Sequence, residues 1–381
     1  MTPLTYADLA TAIREDVYAL VRICTTYQPV VGTGAKVFPP TFPTSASDPS
    51  PYLCEKRMFN GAPHDAVVLD QVPSQANRAE EAINHAWFRG DVAIPMLRLT
   101  HNGAAEAVIT GLTAPHRAFD AYWRDSLLDG VKFDKTELGK ALQAVSLDDA
   151  LALLLHDPGS LVYGAWNSHR KGRQAKFPRI YSSEIVGWDP IVGTRKAGRM
   201  DPINLTGARA GEGDEWAYKA SEAKTKNGKL SEIGHGNIAP NPTHGGVTIS
   251  GATRFATISL TALARIRFGA LPAEGELAAR AYLAALALLG DRLAFGRAGL
   301  WLRSGCDLLV EEERLEFVGR GDSAEPFTLT PGEAIDLYRN ALEAAQDAGL
   351  NLALDTVELT PSTALAQAID FSLTKADSAG E

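Results

Sequence analysis

A long stretch of the chain, residues 191–243, has no regular hydrophobic period, and this restricts the fold more than any other feature. The stretch is rich in glycine and polar residues, while helix-like and strand-like patterns lie on both sides of it. A long non-periodic segment within a compact protein is usually functional or mobile. A second irregular stretch, a Gly/Pro-rich loop, covers 29–60. Together they predict an α+β sheet domain with long insertions, rather than a regular alternation of strands and helices.

Outside these insertions the hydrophobic residues follow recognisable periods. The alternation over 17–23 is typical of a half-buried strand, and the Ala/Leu-rich segment 274–295 predicts a helix. Residues 330–333, Thr-Pro-Gly-Glu, predict a helix start, because a cap residue precedes a proline at the first helical position. We predict a single domain over 1–373 and a disordered tail at 374–381.

The composition restricts the class of protein. With 381 residues, 45% of them hydrophobic, the chain can bury a sizeable core, and its net charge of -9 argues against a general nucleic-acid binder. Cys24, Cys54 and Cys306 lack the spacing of a zinc site or a disulfide framework and suit a reducing compartment. We find no signal peptide and no apolar run long enough to span a bilayer. The sequence therefore predicts a cytoplasmic protein without a membrane partner.

The charge is unevenly distributed along the chain. Residues 166–199 contain eight cations and two acids, a net +6, whereas residues 300–381 contain five cations and sixteen acids, a net -11. A solvated charged loop would also explain a basic segment. Such asymmetry nevertheless indicates an anionic partner at one face.

The segment 68–82, VLDQVPSQANRAEEA, is the first candidate for binding that anion. A buried-looking strand is followed by polar side chains and a cation where a helix begins: Ser74, Gln75, Asn77 and Arg78. The first backbone N–H groups of a helix have no partner within the helix, so its start favours an anion or a phosphate chain.

The second candidate is the segment 164–179, GAWNSHRKGRQAKFPR. Its cations interleave with Trp166 and Phe177, and no regular Lys/Arg period indicates a solvated helix face. This composition favours a phosphate-binding loop. Its candidate nucleic-acid ligands are Asn167, Ser168, His169, Arg170, Lys171, Arg173, Lys176 and Arg179.

Other motifs give no indication of catalysis or of a cofactor. The sequence GTGAKVFPPT around Lys36 lacks the spacing of a nucleotide-binding phosphate loop. His235 and His244 lack the further ligands that zinc requires. We therefore predict no catalytic residue, no metal and no cofactor.

Five motifs in order resemble a known family: GTGAKVFPPT, VLDQVPSQANRAEEA, PHRAFDAYWRDS, GAWNSHRKGRQAKFPRIYSSEIVGWD and LSEIGHGNIAPNPTHGGVTISGATR. They resemble the backbone subunit of the type I-G (formerly I-U) CRISPR Cascade complex, a Cas-seven-like branch of the RAMP superfamily. The resemblance implies a modified RNA-recognition-motif (ferredoxin-like) palm with inserted thumb and finger segments, and 191–243 is the candidate thumb. It also implies a non-catalytic subunit whose copies stack along a guide RNA. The remaining partners would be the target DNA strand, through base pairing, and other Cascade subunits.

The resemblance also implies particular RNA contacts. In related subunits an S-Q-x-x-[KR]-R-like segment touches the guide backbone; Ser74, Gln75 and Arg78 match part of it, and Asn77 replaces its first basic position. We extend the expected RNA contacts to residues of the other motifs, namely Lys36, Arg117, His235, Asn237 and Arg254. Arg78, Arg117 and the 170–179 cluster are predicted to line one continuous basic trough.

Two other interpretations remain open at this stage. The first is a metal-dependent endoribonuclease of a CRISPR-type complex, for which Asp189 or Asp201 would be the acid, although their spacing selects neither. The second is a metabolic protein with a phosphate-binding pocket.

Overall fold

The computed structural model describes residues 2–45, 49–59, 61–103, 106–168, 175–211, 215–220 and 228–380. The helices are α1 (Tyr6–Glu15), α2 (Val72–Phe88), α3 (Ala121–Arg124), α4 (Glu137–Ala144), α5 (Leu151–His156), α6 (Gly159–Tyr163), α7 (Leu260–Leu263), α8 (Ala273–Phe295), α9 (Pro331–Asp347) and α10 (Thr363–Gly380). The strands before residue 180 are β1 (Tyr18–Pro29), β2 (Lys36–Val37), β3 (Cys54–Phe59), β4 (Ala62–Asp70), β5 (Leu97–Asn102), β6 (Glu106–Thr110), β7 (Ser126–Leu128), β8 (Val131–Lys132), β9 (Ala165–Asn167) and β10 (Ala175–Phe177). The later strands are β11 (Tyr181–Trp188), β12 (Ile191–Val192), β13 (Ala208–Ala210), β14 (Ala217–Lys219), β15 (Val247–Thr248), β16 (Gly251–Ser259), β17 (Gly299–Arg303), β18 (Cys306–Gly319), β19 (Ala324–Phe327) and β20 (Val357–Pro361).

The largest sheet in the described residues has eight strands in the order β17-β18-β1-β16-β11-β4-β3, with β19 pairing with the far end of β18. Every neighbouring pair in this sheet is antiparallel. Along β1, Val21, Ile23, Thr25 and Tyr27 are buried and the residues between them are half-buried. The alternation follows from the period of two of a strand with one covered face. It confirms the strand predicted at 17–23.

Helices α2 and α8 cover that buried face. Residues of α2, α8, β1 and β16 belong to one hydrophobic core. Helix α8 is buried on nearly all sides, which agrees with its Ala/Leu-rich sequence, because a helix that is apolar all round must lie within a core. Helix α9 starts as the sequence predicts: Thr330 and Glu333 form a reciprocal capping box, and Pro331 occupies the first turn. The fold is α+β, as expected.

A smaller sheet has the order β6-β5-β20-β7-β8, in which β20 runs parallel to β5 and antiparallel to β7. Helix α10 follows β20, and a contact between Asp370 and His101 joins it to β5. The sequence predicts a disordered tail at 374–381, whereas here the backbone remains helical to Gly380. Within the described residues, we find no helix that combines the length and the apolarity needed to cross a bilayer.

The two irregular stretches join the large sheet at neighbouring places. Strands β2 and β3 lie inside 29–60, and β3 extends the sheet edge next to β4. The chain between β11 and β16 leaves the sheet and returns to it; we call the described residues of 191–246 the arm. At the base of the arm β12, β15 and β2 form a small sheet. Ile191 of β12 and, further out, Met200 and Ile203 are each more than 70% exposed.

Candidate nucleic-acid interface

Three of the four polar residues predicted at the start of α2 are hydrogen-bonded to one buried carboxylate. Ser74 Oγ, Gln75 Nε2 and Arg78 Nε donate hydrogen bonds to the carboxylate of Asp70, at 2.7, 2.5 and 2.8 Å. Asp70 ends β4 and is buried, so residues four, five and eight positions later reach back to it from the first two turns of the helix. These donors hold the helix to the strand, which corrects the expectation that all three are free to grip RNA.

Gln75 and Arg254 are both fully buried. Gln75 Oε1 accepts hydrogen bonds from Ser183 Oγ at 2.8 Å and from Arg254 Nε at 3.3 Å. Arg254 also forms an ion pair with Asp291, a residue of α8. Because neither Gln75 nor Arg254 reaches the surface, this structure does not support the RNA contacts predicted at these two positions.

Burial alone would raise the pKa of Asp291. The charges of Arg254 and Arg292 outweigh that effect and lower the pKa of Asp291 below its ordinary value. The charges inside the core are therefore balanced by one another, without an external anion.

Arg117 is tied to Glu80. Its Nε and Nη2 donate to the two carboxylate oxygens of Glu80 at 2.6 and 2.7 Å, and its Nη1 donates to the Gly164 carbonyl at 2.8 Å. Burial raises the pKa of Glu80, although the contact with Arg117 opposes the rise. The side chain of Arg117 is only 15% exposed. Its first role is therefore to join α2 to the segment before β9.

Beside this ion pair lies a cleft of about 470 Å³, which we call the α2 cleft. It is lined by one face of α2 and by the residues around Arg117, and its walls include Asn77, Arg117 and Arg179. Asn77 and Arg179 are exposed, and for neither side chain do the described residues provide an ion pair or hydrogen bond. The fold thus brings three predicted residues together, while Arg78 does not line this cleft. The predicted trough is not continuous through Arg78.

Strands β9 and β10 form a short hairpin next to the α2 cleft. Trp166 and Lys176 are paired across it, and Lys176 Nζ lies 5.7 Å from the centroid of the Trp166 ring. Asn167 is buried and donates from Nδ2 to Gln143 Oε1 at 2.7 Å, whereas Ser168 is exposed. The predicted contacts at His169, Arg170, Lys171 and Arg173 lie outside the described residues.

On the other side of β9 is a cleft of about 450 Å³, which we call the Trp166 cleft. Its lining includes Trp166 and Asn167 of the hairpin and the aromatic residues Phe119, Trp123 and Phe133. The sequence did not indicate this cleft, because its walls come from segments that are far apart in the chain. The aromatic residues of 115–128 were the available signal.

The remaining predicted contacts lie in the arm or at its base. Lys36 Nζ donates to the carbonyls of Thr194 and Gly245, both at 3.1 Å, and so holds together the two segments that form the base. Asn237 Oδ1 accepts from the Asp201 backbone N–H at 2.6 Å, and the His235 ring lies 5.7 Å from that of Trp216. Lys36, Asn237 and His235 are absent from the linings of both clefts.

Asp189 stands where the arm leaves β11. Its carboxylate contacts His64 Nδ1 and accepts from Ser250 Oγ, both at 3.1 Å, and its φ of 49° is in the left-handed region. The hydrogen bond to His64, followed by that from Ser250, lowers the pKa of Asp189. Asp201 accepts from the Ile203 backbone N–H. Among the described residues, no three His, Cys, Asp or Glu side chains are grouped to hold a metal ion.

The protein therefore has an α+β fold, and its surface around β9 and β10 is partly basic and partly aromatic. Residues 21–191 match the family model of CRISPR-associated protein GSU0053. The match supports a CRISPR-associated protein, and it covers α2, both clefts and the hairpin, whereas almost all of the arm lies beyond it. No curated protein matches the chain.

Proposed function

We propose that this chain is a non-catalytic, cytoplasmic subunit that binds CRISPR guide RNA and assembles along it, copy after copy, into the backbone filament of a type I-G Cascade complex. Target DNA is then recognised by pairing with the guide. One observation carries the proposal: the segment that matches a CRISPR-associated family also contains the α2 cleft and the hairpin with Lys176.

The strand order supports an RNA-recognition-motif palm. Strands β18, β1, β16 and β11 are neighbours in that order, α2 lies between β1 and β11 in sequence, and α8 lies between β16 and β18. This order supports the β-α-β-β-α-β arrangement that a ferredoxin-like fold has, in which the last strand pairs with the first. The arm is then an insertion between the second and third strands of the palm, and we propose it as the thumb.

The exposed side chains around the hairpin suit a grip on the RNA backbone. Lys176 and Arg179 are exposed cations, and Asn77 adds an amide to the same region. Contacts of this kind position a nucleic acid without reading its sequence. A guide-binding subunit needs this property, because every guide differs and its base edges must pair with the target. The acidic remainder of the chain discourages binding to unrelated nucleic acid.

The arm supports assembly with further copies and with other Cascade subunits. Exposed apolar side chains such as Met200 and Ile203 follow shortly after the exposed cations Arg195, Lys196 and Arg199 in the chain. Exposed apolar residues that group together often mark a protein interface. The arm therefore has the character of a segment that is covered in an assembly.

The test is to express the chain together with a guide RNA and to measure particle mass and the ratio of absorbance at the nucleic-acid and protein maxima. We expect a particle larger than one copy that contains RNA. Binding of the free chain to guide RNA should weaken steeply with salt, because phosphate contacts release counterions. A monodisperse monomer that fails to bind guide RNA at low salt would contradict the proposal.

The absence of nuclease activity is part of the proposal and has its own test. A guide-loaded particle is incubated with complementary RNA and Mg²⁺, and we expect intact RNA. Regular cleavage would instead favour the ribonuclease. In that case, testing Asp189→Ala and Asp201→Ala separately would identify the catalytic aspartate. Asp189 lies at the base of the arm, and Asp201 lies within it.

A further inference from the structure

The walls of the Trp166 cleft are aromatic on several sides. Trp166 stands on β9 with 53% of its surface exposed, whereas Trp123 and Phe133 are almost completely buried. The cleft volume of about 450 Å³ lies within the range of pockets that hold small planar ligands. Of the aromatic rings in the lining, the exposed Trp166 and the half-buried Phe119 therefore offer a ligand accessible flat surface.

The lining of the Trp166 cleft also contains polar side chains. Asn167 donates to Gln143, and both residues line the cleft together with Asp120 and Ser168. A side-chain amide has two donors and a carbonyl acceptor, so one hydrogen bond does not exhaust either amide. A ligand with flat apolar faces and a hydrogen-bonding edge fits this combination.

The cation Lys176 lies next to Trp166. Lys176 is exposed on β10, directly across the hairpin from Trp166. An aromatic platform for a base, next to a cation for the neighbouring phosphate, is how proteins bind single-stranded nucleic acid without sequence preference. The ligand is therefore a nucleotide of a longer chain rather than a free aromatic compound.

We propose that the Trp166 cleft holds one unstacked base of the bound RNA, with the base against Trp166 and the adjoining phosphate at Lys176. The inference rests on the proposed function, because it requires that the chain binds RNA. It goes beyond that function by assigning a base contact to a surface otherwise expected to touch only the RNA backbone.

The test uses oligouridine carrying one adenosine at successive positions, and matched oligonucleotides in which an abasic site replaces the adenosine. Affinity is measured by fluorescence anisotropy. At one position the wild type should bind the abasic RNA about 5- to 150-fold more weakly, because stacking of a base on an aromatic side chain is worth that much. The Trp166→Ala variant should bind the adenosine-containing RNA about as weakly as the wild type binds the abasic RNA. The abasic site should weaken binding by this variant little further. Trp166→Phe should recover most of the affinity.

Trp301→Ala provides the matched control. Trp301 is 63% exposed, lies on β17 and lines neither of the two clefts, so its removal should leave both affinities unchanged. Thermal melting should show that each variant remains folded.

The outcomes separate this inference from the proposed function. If the wild type binds RNA but the abasic site and Trp166→Ala weaken binding independently, or not at all, the base site is wrong and the proposed function stands. If the wild type binds no RNA, the proposed function fails and the base site fails with it.

Discussion

Arg254 of β16 and Asp291 of α8 form an ion pair to which solvent has no access, because both side chains have zero exposed surface. The guanidinium of Arg254 also donates to Tyr181, and it lies 4.0 Å from the centroid of the Phe295 ring. Sheet and helix are therefore joined by charge inside the core. A buried ion pair is costly to break, since removing one partner leaves the other charge unpaired in a medium of low polarity.

Arg254→Ala should lower the free energy of unfolding by about 3–5 kcal/mol, because Asp291 loses its principal partner. Chemical denaturation measures the loss. The double replacement Arg254→Met/Asp291→Leu should recover only part of it. It removes both charges and restores apolar volume, but it leaves the buried Arg292 with Glu313 as its remaining carboxylate partner. RNA affinity per folded molecule should not change. A stable Arg254→Ala variant with weakened RNA binding would show that Arg254 contacts RNA after all.

Arg179→Ala should weaken guide-RNA binding several-fold at low salt without changing thermal stability, because Arg179 is an exposed cation at the α2 cleft. One lost phosphate contact should reduce the slope of log affinity against log salt by about 0.7. Arg339→Ala is the control: Arg339 is a similarly exposed arginine on α9, where it pairs with Asp336. Equal effects of the two substitutions would mean that net charge, rather than the cleft, governs binding.

Lys36→Ala should loosen the base of the arm, because Lys36 Nζ bonds the carbonyls of both Thr194 and Gly245. Limited trypsin digestion should cleave the arm faster, after Arg195, Lys196 or Arg199. Lys140→Ala, which removes an exposed lysine of α4, should leave the rate unchanged. The sequence prediction for Lys36 was an RNA contact. Weaker RNA binding together with an unchanged digestion rate would restore that assignment.

Asp157→Asn should change the pH dependence of stability. Burial raises the pKa of Asp157 to about 7, against hydrogen bonds from Ser160 that lower it. The folded pKa exceeds the unfolded value near 4, so this carboxyl favours folding at low pH, and its contribution disappears as pH rises to about 7. The stability of the variant relative to wild type should therefore increase between about pH 4 and 7, by up to a few kcal/mol, and then level off. Denaturation at several pH values measures it.

A stability difference that stays flat between about pH 4 and 7 would contradict this prediction, because it would mean that Asp157 binds protons equally in the folded and the unfolded protein.

Much of the fold follows from local patterns in the sequence. The alternation in β1, the apolar helix α8 and the capped start of α9 were all predicted, because each depends on residues a few positions apart. The sequence also indicated the two irregular insertions. It did not indicate that β3 lies inside the first of them, since β3 is exposed along most of its length and lacks a clear apolar period.

The candidate interface was predictable only in part. The sequence singled out Asn77, Arg117, Lys176 and Arg179, which the fold brings around α2 and the hairpin. It did not reveal the Trp166 cleft, whose walls come from the chain segments before β7, after β8 and around β9. A cleft between segments that are far apart in the chain leaves no pattern among residues that are neighbours in the sequence.

The sequence by itself determined strand β1, helix α8 and the start of α9, and it determined which residue types are able to hold an anion. The tertiary structure decided which of those residues already have a partner inside the protein. Arg254 pairs with Asp291 and Arg117 with Glu80, and Asp70 accepts hydrogen bonds from Ser74, Gln75 and Arg78. The physical reason is that helix and strand periods arise from neighbours along the chain. The partner of a charged side chain, in contrast, is whatever opposite charge the fold places next to it, often from a distant segment.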